Sequence, residues 1–138
     1  MDYELAKNKA IKYIGIAKKT EHEVRTKLMT QSFDETTIDK VISYLNELEY
    51  IDDINYVDAY MRQCMRLQKY SIYEIKQKLL QKGIKKDIIE TALFKLEDIN
   101  YEEDVVEKLI STKSKLLDDV KLKQYLYKRG FRKFNFEE

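Results

Sequence analysis

Few residues in this 138-residue chain could do acid–base, metal or thiol chemistry, and they are scattered. His22 is the only histidine, Cys64 is the only cysteine, and Asp52 and Asp53 form an adjacent carboxylate pair. We interpret His22 as an exposed structural residue and Cys64 as a small residue on an apolar helix face. The sequence shows no nucleophile–base pair, no Gly-rich phosphate loop and no ligand cluster at metal spacing. We therefore expect a protein that is not an enzyme and that has no metal and no cofactor.

The pair Asp52–Asp53 has two interpretations. It could be an acid–base pair or half of a metal site, but no third carboxylate at ligand spacing accompanies it. Both carboxylates also stand where a helix is predicted to begin. A carboxylate there accepts hydrogen bonds from free backbone N–H groups and meets the positive end of the helix dipole. We favour the capping interpretation.

Basic residues offer a different chemistry, which is contact with an anionic partner. Residues 62–86 contain eight basic residues and one acidic residue, and residues 121–133 contain six basic residues and no acidic one. An acidic block at 97–104 lies between them, so the net charge is only +1. This segregation indicates a surface with patches of both signs rather than a plain nucleic-acid-binding face, although a basic face can also be merely solvated. The candidate contact residues are Arg62, Arg66, Lys69, Lys78, Lys82, Lys85, Lys86, Lys123, Lys128 and Arg129.

The composition favours helices to position these residues. There is no proline and there are three glycines, while charged residues make up 37% and hydrophobic residues 43% of the chain. These values are typical of a soluble helical protein with narrow apolar stripes. No apolar run reaches transmembrane length and no signal peptide is visible, so the expected location is the cytoplasm. Tyr50 and Tyr56 are expected to pack at helix starts.

Hydrophobic periodicity and capping signals predict the individual helices. Residues 4–18 form a first helix, whose buried face we assign to Leu5, Ala10, Ile14 and Ala17. Two Ser/Thr-x-x-Glu sequences predict capping boxes, in which a hydroxyl accepts from a free N–H and a carboxylate reaches back. These are Thr20 with Glu23 and Ser71 with Glu74. Asp34 is a predicted N-cap, and Gly83 is a predicted residue just past a helix end.

The helical pattern repeats. A shift of 51 residues carries Thr20, Glu23, Leu28, Phe33 and Leu45 onto Ser71, Glu74, Leu79, Ile84 and Leu96. A shift of 47 residues carries Ser71, Leu79, Gly83 and Ile84 onto Asp118, Leu126, Gly130 and Phe131, but Glu74 becomes Lys121 and the capping box is lost. The prediction is an all-α fold of tandem three-helix repeats at 1–51, 52–98 and 99–138, the third repeat lacking its last helix. Stacked repeats of this kind form an elongated, curved body, here expected to be right-handed.

Several of these motifs together resemble the RecX family. The central match comprises Tyr50, Ile51, Asp52, Asp53 and Tyr56, then Arg62 and Arg66, then Leu79, Lys82, Gly83 and Ile84, then Ala92 and Leu93. The opening Ala17, Thr20 and Glu23 resembles the family's first repeat, and the ending Tyr125, Leu126, Arg129, Gly130 and Phe131 resembles its third. The resemblance covers nearly the whole chain, but family members usually continue through another C-terminal helix.

The resemblance implies a regulatory protein that binds the RecA recombinase–DNA filament and most often inhibits it. The protein would act as a monomer without catalytic residues. It would modulate the ATPase and strand-exchange activities of the filament, and with them recombination, DNA repair and the SOS response. Residues 50, 52, 53, 56, 83 and 130 would form the structural motif, and the basic residues would meet acidic protein surface or DNA phosphate. The alternative is a helical module that binds single- or double-stranded DNA directly. A passive helical scaffold for an unrelated partner fits the composition equally well.

Overall fold

The computed structural model describes residues 2–132, and the residues described form eight α-helices and no strand. The helices are α1 (Asp2–Ile16), α2 (Glu21–Thr30), α3 (Glu35–Glu47), α4 (Asp53–Leu67), α5 (Ile72–Gln81), α6 (Lys86–Asp98), α7 (Tyr101–Lys113) and α8 (Asp119–Lys128). The all-α prediction is confirmed over these residues. The predicted absence of a further helix after Phe131 concerns residues 133–138, which lie outside the described residues.

The chain divides into two compact units. The first comprises the residues up to Val57 together with Gln81–Ile84, and the second comprises Asp58–Leu80 together with the residues from Lys85 onward. Helices α4 and α5 therefore each contribute residues to both units. The repeat ranges 1–51, 52–98 and 99–138 describe sequence similarity rather than compactness, and they stay predictions.

In the first unit, α1, α2 and α3 pack against one another around a small apolar core. The core residues are Ala6, Ala10, Val24, Leu28, Ile38, Val41, Ile42, Leu45 and Ile51. Of these, Ala10 lies on the predicted buried face of α1, and Leu28 and Leu45 are positions of the predicted repeat.

The predicted buried face of α1 is wrong in two places. Leu5 is 52% exposed, and the next residue, Ala6, is fully buried instead. Successive helical residues are about 100° apart, so the face that holds Ala6 and Ala10 excludes Leu5. Ala17 is exposed because α1 ends at Ile16. Buried alanines carry a weak hydrophobic signal in the sequence. The larger Leu5 carries a stronger signal and therefore favours the wrong buried face.

The second unit is built on α4 to α8, with α7 packing against both α6 and α8. Its buried residues include Ile75, Leu79, Leu96, Val105 and Leu126, and the aromatic ring of Phe131 is fully buried. Tyr101 is also buried, and its hydroxyl donates to the carbonyl of Tyr70 at 2.7 Å. Cys64 is buried as predicted, and burial raises the pKa of its thiol.

Both predicted capping boxes are confirmed. Thr20 Oγ1 accepts from the Glu23 N–H at 3.2 Å, and Glu23 Oε1 accepts from the Thr20 N–H at 3.0 Å. Ser71 Oγ accepts from the Glu74 N–H at 3.0 Å, and Glu74 Oε1 accepts from the Ser71 N–H at 2.9 Å. The predicted N-cap Asp34 accepts from the Thr37 N–H at 2.8 Å. Each start of α2, α3 and α5 is thus fixed by a side chain that the sequence identifies.

Candidate functional site

Eight of the ten predicted contact residues are exposed basic side chains of the second unit. They are Arg62, Arg66, Lys69, Lys78, Lys85, Lys86, Lys123 and Lys128. Their exposure leaves them accessible to an anionic partner. Their role in binding stays a prediction.

Helix α4 has an apolar face and a basic face. Val57, Met61 and Cys64 are buried on one side, and Arg62 and Arg66 are exposed one turn apart on the other. Within the described part of the chain, neither arginine forms an ion pair. A planar guanidinium without a partner is well suited to bind a carboxylate or a phosphate through two parallel hydrogen bonds.

Lys85 and Lys86 stand at the start of α6, where a cation is unfavourable. Lys85 is the N-cap residue and makes no side-chain capping hydrogen bond, and Lys86 is the first residue of the helix. The helix dipole places partial positive charge at this end, so basic side chains there cost stability rather than add it. Helix stability therefore does not explain this pair, and an anion bound nearby would offset the repulsion.

Lys82 has a different setting from the exposed cations. Its ammonium donates to Glu23 Oε2 at 3.0 Å, and its backbone carbonyl accepts from the Thr20 hydroxyl at 2.7 Å. The hydrogen bond to Glu23 raises the pKa of Lys82. Partial burial alone would raise the pKa of Glu23, but the Thr20 N–H and the Lys82 ammonium lower it overall. Lys82 is thus bound to the capping box of α2.

Arg129 repeats this arrangement at the capping box of α5. Its Nη2 and Nε donate to the two carboxylate oxygens of Glu74 at 2.9 and 3.2 Å, and its carbonyl accepts from the Ser71 hydroxyl at 2.6 Å. Its guanidinium also donates to the Lys69 carbonyl and to the Tyr125 hydroxyl. Burial by itself would lower the pKa of Arg129, but the interactions with Glu74 and Tyr125 together outweigh it and raise that pKa.

We call the segments Lys82–Ile84 and Arg129–Phe131 the latches. Each consists of a basic residue, a glycine and a buried apolar residue, and each binds a capping box formed more than fifty residues earlier. The sequence repeats suggested the boxes and the glycines separately. The 51-residue shift carries the Thr20 box onto the Ser71 box, and the 47-residue shift carries the first latch onto the second. That alignment was the signal that could have paired latches with boxes.

The glycine of each latch lies against a side chain. Gly83 has φ +77°, and a Cβ built there would lie 2.1 Å from the Cβ of His22. Gly130 has φ +98°, and its Cβ would lie 2.6 Å from the Cβ of Tyr73. The prediction that Gly83 lies just past a helix end is confirmed, since α5 ends at Gln81. The close approach is a second requirement that the sequence did not reveal.

The aspartate pair is confirmed as a pair of caps, but its members cap different helices. Asp52 Oδ1 accepts from the Asn55 N–H at 3.0 Å at the start of α4. Asp53 Oδ1 instead accepts from the N–H of Glu21, the first residue of α2, at 3.0 Å. A carboxylate in the first turn of one helix thus satisfies a free donor of another.

The same contact recurs in the second unit, where Glu102 Oε2 accepts from the N–H of Ile72 at 2.7 Å. Ile72 is the first residue of α5. The starts of α2 and α5 are therefore each stabilised by three contacts. These come from the capping box of the helix, from a latch and from an acidic residue of another helix.

The two tyrosines of the predicted motif differ. Tyr56 is partly buried, and burial raises the pKa of its phenol. Tyr50 is 50% exposed, so only part of its side chain packs against the protein as expected.

Over residues 2–132, no group of three His, Cys, Asp or Glu side chains could hold a metal ion. None of the helices described combines the length and apolar character needed to span a bilayer.

Comparison with known proteins identifies the family of these helical domains. Residues 6–45 match the family model of the first three-helix domain of RecX, and residues 52–93 match that of the second. The protein named Regulatory protein RecX in Caldanaerobacter subterraneus subsp. tengcongensis is 31% identical over 134 residues, covering 96% of this chain and 68% of the relative. The chain belongs to the RecX family. The relatives that match are named as regulatory proteins.

Other RecX proteins extend the match. The Regulatory protein RecX of Prosthecochloris aestuarii is 36% identical over 92 residues, covering 67% of this chain and 61% of the relative. The chain thus spans about three fifths of the length of that RecX protein. The crystal structure of RecX from Lactobacillus salivarius superposes with a TM-score of 0.77 at 31% identity, over 95% of this chain and 89% of that one.

Proposed function

We propose that this chain regulates the RecA recombinase by binding the RecA–DNA filament and limiting its activity. The observation that carries the proposal is the presence of two consecutive RecX three-helix domains at 6–45 and 52–93. Limiting the filament would restrain its ATPase and strand-exchange activities, and through them recombination, DNA repair and the SOS response. The chain would act in the cytoplasm as a monomer, through binding alone.

The exposed cations of the second unit are the proposed contact surface. Arg62 and Arg66 form its core because their guanidinium groups are exposed and lack ion-pair partners among residues 2–132. Each such contact is weak and screened by salt, but several contacts formed at once give avidity. Lys82 and Arg129, which we also predict as contacts, would have to exchange their carboxylate partners for the filament.

The test is ATP hydrolysis by RecA on single-stranded DNA, with this protein added at well below one molecule per RecA subunit. A fall in rate at those ratios would support a regulator that blocks filament growth or promotes disassembly. An unchanged rate, even with excess protein at low salt, would refute the proposal. The alternative of direct DNA binding would then be tested with the protein alone.

A charge-reversed pair tests the surface itself. We expect Arg62→Glu with Arg66→Glu to weaken inhibition without unfolding the protein, because both side chains are exposed. The matched control is Lys9→Glu with Lys12→Glu on α1, which changes the net charge equally at two exposed positions of the first unit. Equal inhibition by the two variants would remove Arg62 and Arg66 from the mechanism.

A further inference from the structure

A groove of about 230 Å³ lies between α4 and α6 of the second unit, directly beside Arg62. Its floor is apolar and buried, formed by Met61, Ala92 and Leu96. Met65, which is 36% exposed, forms part of the edge. Neither the RecX domain match nor the charge pattern assigns a role to this groove. We name it the methionine groove.

The charged residues at the edge of the methionine groove are mainly basic. Arg62 and Lys95 are exposed there, and Asp58 is the one carboxylate among the lining residues. Asp58 and Arg62 are one turn apart on α4, yet they form no ion pair in the described structure. Two cations that form no ion pair with any described residue therefore flank this apolar groove.

This combination discriminates between two kinds of anionic partner. A DNA phosphate would engage the cations but would leave the exposed part of Met65 in contact with water. A protein segment with an apolar side chain beside an aspartate or glutamate would satisfy both features, because its carboxylate meets a guanidinium or ammonium while its apolar group packs against the exposed part of Met65. Methionine side chains are flexible and polarisable, and such surfaces adapt to apolar groups of different shape.

We propose that the methionine groove binds a segment of the filament's protein surface in which an apolar side chain stands next to a carboxylate. The inference rests on the proposed function and refines it, because it assigns the contact at Arg62 to protein rather than to DNA. Arg62 then forms an ion pair at the edge of the groove, and Met65 covers the inserted side chain.

The experiment measures the affinity of labelled protein for RecA filaments on single-stranded DNA and for the bare DNA, at several salt concentrations. We expect Met65→Ser to weaken filament binding by about three- to tenfold through lost apolar contact, with the salt dependence unchanged. Arg62→Gln should weaken filament binding and also reduce the salt dependence. Neither variant should change binding to bare DNA.

Two control variants isolate the groove. Met29→Ser alters a methionine of α2 that is 65% exposed, and it should bind filaments like the wild type. Met65→Leu keeps an apolar side chain and should retain most of the affinity. Wild-type affinity in Met65→Ser, with weakened binding in Arg62→Gln, would overturn the groove proposal and favour a phosphate contact. Absence of filament binding by the wild-type protein would instead refute the proposed function, and this inference with it.

Discussion

At Gly83 and Gly130, a neighbouring side chain limits which residue type can occupy the position more than the backbone conformation does. Within residues 2–132, four other residues adopt positive φ without being glycine, namely Ser32, Glu49, Gln68 and Asn100. Ser32, at φ +68°, is the exposed counterpart of Gly83 in the first repeat. A left-handed backbone is thus compatible with a side chain in this protein. What excludes a Cβ at Gly83 is His22, and at Gly130 it is Tyr73.

Gly83→Ala should therefore destabilise the protein. We expect a loss of at least about 2 kcal/mol, from the left-handed backbone together with the overlap with His22. The matched control is Gly15→Ala in α1, where an added Cβ meets nothing within 4 Å. That change should stabilise the helix by about 0.5–1 kcal/mol. Urea unfolding measures both, and equal midpoints for the two variants would contradict the argument.

The ion pair of the first latch should make stability depend on pH. The pKa of Glu23 is lowered from its ordinary 4.5 in the folded state, so its contribution is complete above that value and is lost as the pH falls through the lowered pKa. The pKa of Lys82 is raised from its ordinary 10.5, so its contribution is complete below that value and is lost as the pH rises through the raised pKa. Between these limits the pair stabilises the fold.

Glu23→Gln tests the acid limb of this dependence. The urea concentration at the midpoint of its unfolding should lie below that of the wild type at pH 7. The difference should shrink as the pH falls below about 4.5. Glu90→Gln is the control, because Glu90 is exposed on α6 and makes no ion pair within residues 2–132. A constant difference between wild type and Glu23→Gln from pH 3 to pH 7 would show that the carboxylate charge is irrelevant.

Among the helices, α2, α5 and α8 begin in the same way but are not equally well capped. Asp118 caps α8 by accepting from the Lys121 N–H at 2.8 Å. The third residue of this helix is lysine, whereas α2 and α5 have Glu23 and Glu74 there. A cation in the first turn opposes the helix dipole, and it cannot reach back to satisfy the N-cap N–H.

Restoring the box should stabilise α8. We expect Asp118→Ser with Lys121→Glu to raise the unfolding free energy by about 0.5–1 kcal/mol. Asp118→Ser with Lys121→Ala removes the cation without supplying the returning carboxylate, and it should recover only part of the gain. Thermal unfolding followed by circular dichroism measures both variants. Equal melting temperatures for the two would assign the effect to removal of the lysine alone, with no contribution from the new carboxylate.

The sequence predicts how helices begin better than it predicts what their ends contact. Thr20, Ser71 and Asp34 act on residues three positions away, so their role is visible as a local pattern. Lys82 and Arg129 bind carboxylates more than fifty residues earlier in the chain, and a local sequence pattern cannot reveal a contact over that separation. Charge alone therefore predicts an anionic binding partner for both side chains. The same limit applies to Asp53, which lies at the start of one helix and caps another.

At the scale of the whole molecule, the balance of charge should limit binding to naked DNA. The net charge is only +1, and the acidic residues at 97–104 would repel phosphates. We expect binding to a labelled 30-base-pair duplex at physiological salt to be no tighter than ordinary non-specific binding, about 10⁻⁴–10⁻⁶ M. Fluorescence anisotropy measures this affinity. A dissociation constant well below micromolar would favour the direct DNA-binding alternative.

The latches give the succession of repeats a polarity. In both cases an earlier segment supplies the capping box and a later segment supplies the latch. Residues 52–98 contain one of each, with the Ser71 box and the Lys82–Ile84 latch. The first repeat has Gln31 and Ser32 in place of the basic residue and glycine, and in the third Lys121 replaces the glutamate of the box.

This asymmetry has an evolutionary consequence. Duplication of residues 52–98 would insert a segment that can be joined on both sides by the same chemistry. Duplication of the first repeat would add a segment without a latch, and duplication of the third would add one without a complete box. Lengthening of such a protein is thus expected to proceed by copying its middle.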